Sequence, residues 1–485
     1  MLIAADGQEI RASVPSGSTV VQAIDAAGVT LGELDRLQPP AYTLVTDGTR
    51  IEVTRLEESF EVEQVTLPFP QQTLRNEALP EITYRIVTEE GAEVSRTPVK
   101  SQTVVEPKPE ILMVGALTAY SPVPIEGTLA YVSSGNLWTI AGDSGSRTPL
   151  TVAGDADGRI LELSPDGAWL AYTRHDPEDA EEINSLWAVS ALGRNPEPFA
   201  LGVSNVVHFA DWSPDPLALA LAYSTVEPRP AAPGWQANND LTVVTIRPDG
   251  ESGRAGPRRT ILAANSGGQY GWWGSSFAWA SDAQQLAYAR PDGVGVVTLD
   301  EPALTPVLEM TPYQTLGDWA WVPGVSWGWD DRTLFTVRHG DPVGLETDAA
   351  SPVFDLVALQ PTSGAALPLS GRSGMFAEPV VSPPRLLPNG EVDHQIAFLQ
   401  ALTPLESESS RYRLGVIDRD GSNLRLLFPA EGEAGLEPHR VAWSPDAERL
   451  ALIYQGDLWI VDVATAQAHR LTSDGQVSAI DWSAS

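Results

Sequence analysis

Apolar and polar positions over residues 128–485 follow one pattern that returns about every 50 residues. In each copy an apolar strand ends in a short polar turn, and a second apolar strand follows. A third strand often starts with a polar residue and Leu-Trp, as in D-L-W-I-V from Asp457, and a weaker fourth strand ends the unit. Four short antiparallel strands per repeat are typical of a β-propeller blade.

The polar turns mark the ends of the first strands. They read L-S-P-D-G at Leu163–Gly167 and W-S-P-D at Trp212–Asp215 and Trp443–Asp446, with degenerate copies elsewhere. Pro presets the first turn position, Asp is tolerated at the next, and Gly accepts a positive φ. Seven first strands are expected to end near Ser164, Ser213, Ser281, Asp330, Ser382, Ser444 and Ser483.

The two ends of the repeat region complement each other. The last unit, Q-V-S-A-I-D-W-S-A-S, has no following strands, and the earliest, T-L-A-Y-V-S from Thr128, lacks a first strand. We therefore expect the C-terminal strand to complete blade one and leave no open sheet edge. The fold class predicted is mostly β, with a seven-bladed β-propeller. Six blades stay open as an alternative because the fifth and sixth units are degenerate.

The N-terminal quarter has a different pattern. Residues 1–55 predict two strands around a turn at Asp6–Gly7, one helix and a last strand after a turn at Asp47–Gly48. T-V-V-Q at Thr19–Gln22 is a capping box that starts the helix. This is a small β-grasp pattern. We assign 1–55 to this module, 56–116 to an extended β stalk, 117–127 to a linker and 128–485 to the propeller.

Both parts resemble known families. The propeller segment resembles TolB-type WD-like repeats through W-S-P-D-x-x-x-L-A-L at Trp443–Leu452 and G-D-L-W-I-V-D at Gly456–Asp462. D-G-Q-E-I followed by T-V-V-Q-A-I-D-A-A-G resembles the ubiquitin-like module of bacterial resuscitation-promoting factors. The next stretch resembles their five-glycine (G-five) domain, with Gly91 and Gly115 in place. Because L-P-E from Leu79 runs straight into I-T-Y-R, the glycine-rich centre of that domain is missing and the module is shortened.

The resemblance implies a stalk associated with wall glycan that contains N-acetylglucosamine. A plain spacer that only projects the propeller is the alternative reading of residues 56–116. The expected location is extracellular or in the cell envelope if an export signal precedes this chain, and cytoplasmic if Met1 is the true start. The first residues, M-L-I-A-A-D-G, have neither a basic region nor a long apolar run.

Composition excludes several partners. With 64 acidic and 30 basic residues the chain carries a formal charge of −34, which repels phosphate backbones and argues against nucleic acid. The chain has no cysteine, so disulfides, thiolate catalysis and Cys-ligated zinc are excluded. No run approaches the roughly 20 apolar residues that span a bilayer, so we expect no membrane insertion by this chain.

Loop length points to one end of the repeats as the functional end. Turns between first and second strands are short, and those between third and fourth strands are short as well. Long connections follow second strands at 175–184, 226–239 and 339–350, and join blades at 267–274 and 313–324. In an up-and-down blade these two classes of long loop emerge on the same face, and function usually lies on such loops. We call this the long-loop end and the opposite side the tight-turn end.

Candidate binding residues lie on those loops. Five tryptophans outside the repeat positions could form an exposed platform for sugar rings or apolar peptide side chains, or could pack under the loops. These are Trp235, Trp272, Trp273, Trp319 and Trp321. Cationic groups beside carboxylates could orient an acidic ligand, or could hold loops through surface ion pairs. These are Arg174, His175, Arg338 and His339.

No catalytic motif is recognisable. G-D-S-G-S at Gly142–Ser146 has no histidine before it, and the chain contains neither G-x-S-x-G nor H-E-x-x-H. The sequence therefore predicts no enzyme, no cofactor and no metal site. The leading hypothesis is a non-enzymatic envelope protein whose propeller binds glycan or protein. The alternatives are a protein-interaction scaffold without a glycan role, and a carbohydrate-active enzyme that uses carboxylates such as Asp318 or Glu346.

Overall fold

The computed structural model describes the chain in two compact units, Met1–Leu117 and Thr118–Ser485. The described ranges are 1–15, 17–32, 35–64, 74–75, 79–89, 92–105, 110–111, 122–175, 181–193, 196–215, 217–265, 268–315, 317–386 and 392–483. Side chains are described outside 56–121 and 268–270. Gly91 and Gly115, at which the G-five resemblance places glycine, lie outside the described residues.

The first unit begins with a four-stranded sheet and one helix. Its elements are β1 Leu2–Ala5, β2 Gln8–Arg11, α1 Val20–Ala26, β3 Arg36–Gln38 and β4 Arg50–Thr54. The strand order is β2-β1-β4-β3, with β1 and β4 parallel. Helix α1 starts with the predicted capping box, because Thr19 and Gln22 each bond the backbone of the other. Val20, Ala23 and Ile24 are buried on the face of α1 that packs on the sheet.

Longer strands follow in the same unit. They are β5 Leu56–Gln64, β6 Leu74–Arg75, β7 Leu79–Glu89, β8 Ala92–Val105 and β9 Glu110–Ile111. Strands β5, β7 and β8 form a three-stranded antiparallel sheet in that order, and β6 pairs with β9. The 11 residues of β7 and 14 residues of β8 are long for globular proteins, as the prediction of extended β structure requires.

The described residues of the second unit form seven four-stranded antiparallel sheets, which we number in chain order. Sheet 1 contains β10 Pro124–Ser133, β11 Asn136–Asp143 and β12 Arg147–Pro149. Sheet 2 contains β13 Ala156–Leu163, β14 Trp169–Arg174, β15 Ser185–Ser190 and β16 Phe199–Ser204. Sheet 3 contains β17 Ala210–Trp212, β18 Ala220–Tyr223, β21 Leu241–Asp249 and β22 Ser252–Leu262, with a hairpin of β19 Val226–Pro228 and β20 Trp235–Ala237 inserted after β18.

The remaining sheets repeat this plan. Sheet 4 contains β23 Ser276–Trp279, β24 Gln285–Arg290, β25 Gly293–Thr298 and β26 Thr305–Glu309. Sheet 5 contains β27 Val325–Trp327, β28 Leu334–His339, β29 Phe354–Leu359 and β30 Ala366–Ser370. Sheet 6 contains β31 Val380–Val381, β34 Gln395–Ala401, β35 Tyr412–Asp418 and β36 Arg425–Phe428, with a hairpin of β32 Arg385–Leu386 and β33 Val392–Asp393.

Sheet 7 contains β37 Ala442–Trp443, β38 Arg449–Tyr454, β39 Asp457–Asp462 and β40 Ala468–Arg470. The last strand, β41 Val477–Ser483, pairs with β10 and completes sheet 1 as its first strand. Short 3-10 helices lie at Gly268–Trp273, Asp348–Ala350 and Pro404–Glu406, all in loops of the long-loop end. None of the helices in the described ranges has the length and apolar character that a membrane-spanning helix needs.

The hydrophobic core lies between consecutive sheets. Each pair of neighbours shares one cluster of buried side chains, as Phe209 of sheet 3 and Phe277 of sheet 4 do at a ring distance of 5.1 Å. Leu129 of sheet 1 and Ile460 of sheet 7 belong to a common cluster, so the last sheet packs against the first. The predicted mostly β fold is therefore confirmed.

The tight turns share one mechanism. In the turn after β13, the Asp166 carboxylate accepts the backbone N–H of Ala168, while Gly167 adopts φ +65°. In the turn after β37, Asp446 accepts the N–H of Glu448, and Ala447 takes the positive φ. The aspartate therefore does more than tolerate its position, because its carboxylate holds the turn closed.

Candidate functional site

Tryptophans at the repeat position join neighbouring sheets at the tight-turn end. In four of them the indole N–H donates to a backbone carbonyl oxygen on the first strand of the preceding sheet. The bonds are Trp212 to Glu162 (2.7 Å), Trp279 to Asp211 (3.3 Å), Trp327 to Ala278 (3.1 Å) and Trp443 to Val380 (3.0 Å). Since each bond crosses from one sheet to the next, these tryptophans serve the packing of the fold.

A cluster of charged side chains lies along the same first strands. Glu162, Asp211 and Asp481 each stand two residues before the serine that ends their strand, in sheets 2, 3 and 1. Arg440, which precedes β37, reaches Glu162 with a nitrogen–oxygen distance of 3.0 Å. The carboxylate of Glu378, which precedes β31, also raises the pKa of Arg440 through its negative charge. We call these five side chains the first-strand ion cluster.

The carboxylates of this cluster are held in an unfavourable environment. Burial raises the pKa of Glu162 well above its usual range and that of Asp211 to about 6, and Arg440 opposes both shifts. Burial also raises the pKa of Asp481 and that of Glu378. The carboxylate of Glu162 in turn raises the pKa of Arg440. The one guanidinium of the cluster therefore faces four carboxylates, so its positive charge cannot balance them when all four are ionised.

A cavity of about 180 Å³ opens beside this cluster at the tight-turn end. Its wall contains Arg440 and Asp481 among mostly apolar side chains. The side chain of Arg440 keeps 63% of its surface accessible although protein surrounds it, as expected for a group that faces a solvent-filled space. Trp329 forms part of the rim and is 47% exposed, with its N–H fixed on the Ser382 carbonyl at 2.6 Å.

At the long-loop end, the structure brings two of the predicted tryptophans together. Trp235 of β20 and Trp273 of the 3-10 helix meet edge to face, with ring centroids 6.3 Å apart. Trp235 also stacks on the imidazole of His208 at 5.7 Å. Trp272, beside Trp273, is partly buried, as are both other indoles. These rings form an aromatic group between sheets 3 and 4.

Two of the predicted residues lie in the core instead. Trp321 is 2% exposed, and its indole N–H donates to the Met375 carbonyl at 2.8 Å. His339 is 7% exposed, and its two ring nitrogens contact the carbonyl oxygens of Thr311 and Ser351 at 2.6 and 2.8 Å. For Trp321 the alternative therefore holds, in which the indole packs under the loops and is not part of an exposed platform. His339, considered as a cationic group for an acidic ligand, is buried as well.

The other predicted residues have local partners. Trp319 is partly buried and stacks on Phe376 at 6.3 Å. Arg174 pairs with Asp155 and lies over the Trp187 ring at 4.6 Å. Two further contacts are those of Arg338 with Asp355 at 3.5 Å and of exposed His175 Nδ1 with the Ile183 carbonyl at 3.2 Å. Both arginines are thus paired within their own sheet, and their role toward an acidic ligand stays a prediction.

Glu346, one of the two loop carboxylates considered for catalysis, is partly exposed. Glu346 accepts backbone N–H groups of Val343 and Gly344, and backbone hydrogen bonds of this kind lower its pKa. A general acid needs the opposite shift. Asp318 is exposed as well. Within the described ranges, no group of three or more His, Asp or Glu side chains is placed to hold a metal ion.

Comparison with known proteins identifies the N-terminal modules. The family described as the G5-linked ubiquitin-like domain matches residues 3–41, and the G5 domain family matches residues 79–116. The predicted N-terminal resemblance is confirmed. Resuscitation-promoting factor RpfB of Mycolicibacterium smegmatis is 26% identical over 155 residues, which are 28% of this chain and 43% of that protein. The chain thus spans less than half the length of this relative.

Two solved structures of different kinds have a weak likeness to much of this chain. A structure assigned as TolB from Agrobacterium tumefaciens covers 72% of this chain and 90% of its own, with 11% identity and a TM-score of 0.31. A prolyl endopeptidase structure covers 75% of this chain and 50% of its own, with 12% identity and a TM-score of 0.45. At these TM-scores the likenesses say nothing about function.

The expectation that the chain is no enzyme needs correction. Residues 436–482, which contain sheet 7 and most of β41, match the family described as the dipeptidyl peptidase IV N-terminal region. This part of the chain therefore shares its sequence pattern with a peptidase family. The absence of a motif such as G-x-S-x-G was too narrow a test, because it searched for a catalytic domain and not for the sheets that accompany one.

The sequence reasoning missed the first-strand ion cluster. Its members are separated by tens to hundreds of residues, but a signal was present. Glu162, Asp211 and Asp481 occupy the same repeat position, at which the other repeats carry Ala, Ser or Val. An alignment of the repeats at that position shows three carboxylates. They lie on the first strands of three consecutive sheets if β41 belongs to sheet 1.

Proposed function

We propose that this chain belongs to a bacterial cell-envelope protein whose N-terminal modules associate with wall glycan and whose repeat region binds a glycan or a protein. The observation that carries the proposal is the pair of family matches at residues 3–41 and 79–116, together with the similarity to a resuscitation-promoting factor. A location outside the cytoplasm follows from the same resemblance. Fractionation of the native bacterium would test it, and recovery from the cytosol alone would contradict it.

We infer further that the seven sheets form a closed seven-bladed β-propeller, with β41 as the closing strand. Three observations support this. Strand β41 pairs with β10 over most of its length, the first strands contact their neighbours, and sheets 7 and 1 share a buried cluster. Closure leaves no exposed sheet edge, which protects an envelope protein from edge-to-edge association.

The binding surface in this proposal is the aromatic group of Trp235, Trp272 and Trp273 at the long-loop end. These indoles are outside the repeat positions and are partly accessible, Trp235 meets Trp273 edge to face, and Trp272 is next to Trp273 in the chain. Indole rings bury a large apolar area against sugar rings while their N–H groups bond polar partners. The repeat-position tryptophans are already engaged between sheets and have no such capacity.

A binding screen with the intact chain tests this assignment. Peptidoglycan fragments and wall glycans would be titrated against the protein and against Trp272→Ala/Trp273→Ala. We expect the double variant to bind about tenfold or more weakly, since central aromatic residues dominate binding surfaces. Trp329→Ala, which removes a half-exposed indole at the opposite end, is the matched control. Equal binding by the double variant and the native chain would contradict the assignment.

A further inference from the structure

Four buried side-chain atoms beside the aromatic group lack a hydrogen-bond partner in the described part of the chain. They are both ring nitrogens of His208, Oδ1 of Asn239 and Oγ of Ser276. Asn239 is 6% exposed, so no bulk water serves its oxygen. Buried polar atoms in folded proteins normally bond protein, ordered water or a ligand. The concentration of orphaned atoms between sheets 3 and 4 therefore indicates a place where something else binds.

His208 and Asn239 both lie against the segment from Gly271 to Gly274. Asn239 donates from Nδ2 to the Gly271 carbonyl at 2.7 Å, which ties it to the 3-10 helix that carries Trp273. A Cβ added at Gly274 would lie 2.6 Å from His208 Nε2, so only glycine allows the imidazole this close to the backbone. Gly274 also has φ +87°, which other residues rarely adopt. Ser276 starts β23 two residues later.

These side-chain groups carry no charge at physiological pH, and they include both hydrogen-bond donors and acceptors. Burial lowers the pKa of His208 to about 4, so at physiological pH one ring nitrogen donates and the other accepts. Asn239 Oδ1 accepts only, and the Ser276 hydroxyl can do either. A charged group would lose its hydration here without an opposite charge to replace it. The complement of this set is a neutral group that has one N–H and one C=O, which is a secondary amide.

The aromatic rings next to these atoms indicate the kind of ligand to which the amide would belong. The His208 imidazole stacks on Trp235, which meets Trp273, and both indoles are partly accessible. A ligand that approaches these rings thus has its polar substituent next to the orphaned atoms. We propose that His208, Asn239 and Ser276 bind the acetamido group of an N-acetylated sugar whose ring lies against Trp235 and Trp273. This inference rests on the glycan-binding function proposed above and names the part of the glycan that is recognised.

The pairing of atoms follows from donor and acceptor roles. The acetamido N–H donates to Asn239 Oδ1, and the N–H of the neutral His208 ring donates to the acetamido oxygen. A protonated amine is disfavoured, since none of these three side chains supplies a negative charge to replace its lost hydration. The acetyl methyl would lie against the indole faces, which are apolar.

Three sugars that differ only at carbon 2 test the proposal with the intact chain. N-acetylglucosamine, glucosamine and glucose would be titrated by calorimetry and by NMR of the histidine ring signals. We expect N-acetylglucosamine to bind about tenfold more tightly than the other two and to shift the His208 signals, since two buried hydrogen bonds depend on the acetamido group. Equal affinity for all three sugars would overturn the proposal.

His208→Phe removes both ring nitrogens and keeps an aromatic ring against Trp235. The variant should reduce N-acetylglucosamine binding to the level of glucose, while its melting temperature stays at or above that of the native chain. His394→Phe is the matched control, because His394 Nε2 also lacks a partner but lies in the loop before β34 of sheet 6. Should His208→Phe fail to fold, Ser276→Ala removes a single hydroxyl and should weaken binding about threefold.

The outcomes separate this inference from the proposed function. Suppose wall fragments bind and Trp272→Ala/Trp273→Ala weakens them, but His208→Phe binds N-acetylglucosamine as the native chain does. The amide site is then overturned and the aromatic surface stands. A chain that binds no fragment at all overturns both. A crystal grown with N-acetylglucosamine that shows only water at His208 and Asn239 also overturns the amide site.

Discussion

The tight-turn end and the long-loop end of the repeat region use the same residue types for opposite purposes. At the tight-turn end, tryptophan repeats with the sheets, and its N–H is spent on the preceding sheet. At the long-loop end, the loop tryptophans follow no repeat, the rings of Trp235 and Trp273 meet, and buried polar atoms beside them have no partner in the described residues. A residue at a repeated position is therefore explained by the fold, and a residue outside it has to be explained by something else.

The arginines at the two ends also differ in the number of carboxylates that they face. Arginines of the long-loop end, such as Arg174 and Arg338, pair with one carboxylate of their own sheet. Arg440 at the first strands instead faces carboxylates from four other sheets. The tight-turn end is thus not merely a scaffold of satisfied bonds, because it holds a cluster whose electrostatics are unfavourable when every carboxylate is ionised. The predictions below probe this difference between the two ends.

The largest effect is expected from deletion of residues 476–485. This removes β41 with its six residue pairs to β10. It also removes the buried indole of Trp482, whose N–H donates to the Glu126 carbonyl at 2.7 Å. Sheet 1 would lose its first strand, and sheet 7 would lose its neighbour. We expect a melting temperature lower by about 10 °C or more, since a loss of several kcal/mol shifts the transition by that much. An unchanged melting temperature would refute closure by this strand.

Arg440→Met should have the next largest effect. The variant leaves four carboxylates around an uncharged side chain, and loss of one partner from a buried ionic group costs about 3–5 kcal/mol. Because the Arg440 side chain remains partly accessible, we expect about 2–4 kcal/mol by urea unfolding at pH 7.5. At pH 4.5 the loss should shrink, since protonated carboxylates need no cation.

Exposed Arg332 supplies the control for this variant. Arg332→Met removes one positive charge from the same end of the sheets but not from the cluster, and surface substitutions of this kind change stability by about 0.5 kcal/mol or less. If both variants lose the same stability at pH 7.5, the cluster has no special role in holding the first strands together.

Trp443→Phe should cost less than the loss of Arg440. It removes the N–H bond to the Val380 carbonyl and part of a ring that is 5% exposed. One hydrogen bond and the resulting small cavity together amount to about 2 kcal/mol. Trp329→Phe loses a similar bond from a half-exposed ring, where water can replace it, so about 0.5 kcal/mol is expected there. Thermal unfolding of both variants would compare them, and equal losses would contradict the distinction.

The sequence predicts those features that depend on local chemistry. The turn phrase places the ends of all seven first strands within three residues, because Pro, Asp and Gly determine local backbone geometry. The capping box at Thr19 and Gln22 is equally local and is present. Which candidate residues are buried, as Trp321 and His339 are, could not be decided from the sequence, since burial depends on how two long loops fold over sheet 5.

Asp211→Asn should have the smallest effect and the opposite sign. Burial raises the pKa of Asp211 in the folded chain to about 6, whereas the unfolded chain has a value near 4. The folded state therefore holds the proton more tightly, so this group favours folding below pH 4 and loses that contribution as the pH rises through 6. Ionised Asp211 costs stability at pH 7.5. Asparagine is neutral at every pH, and its side-chain oxygen can still accept a hydrogen bond from the backbone N–H of Trp212.

The variant should consequently gain about 1–2 kcal/mol over the native chain in urea unfolding at pH 7.5, and the gain should disappear near pH 4.5. Asp249→Asn, at an exposed position, controls for the general loss of one charge from a chain of −34. A loss of stability at pH 7.5 would mean that attraction to Arg440 outweighs burial at Asp211. The cluster would then be an ordinary set of ion pairs, and the tight-turn end would differ from the long-loop end only in its repeated tryptophans.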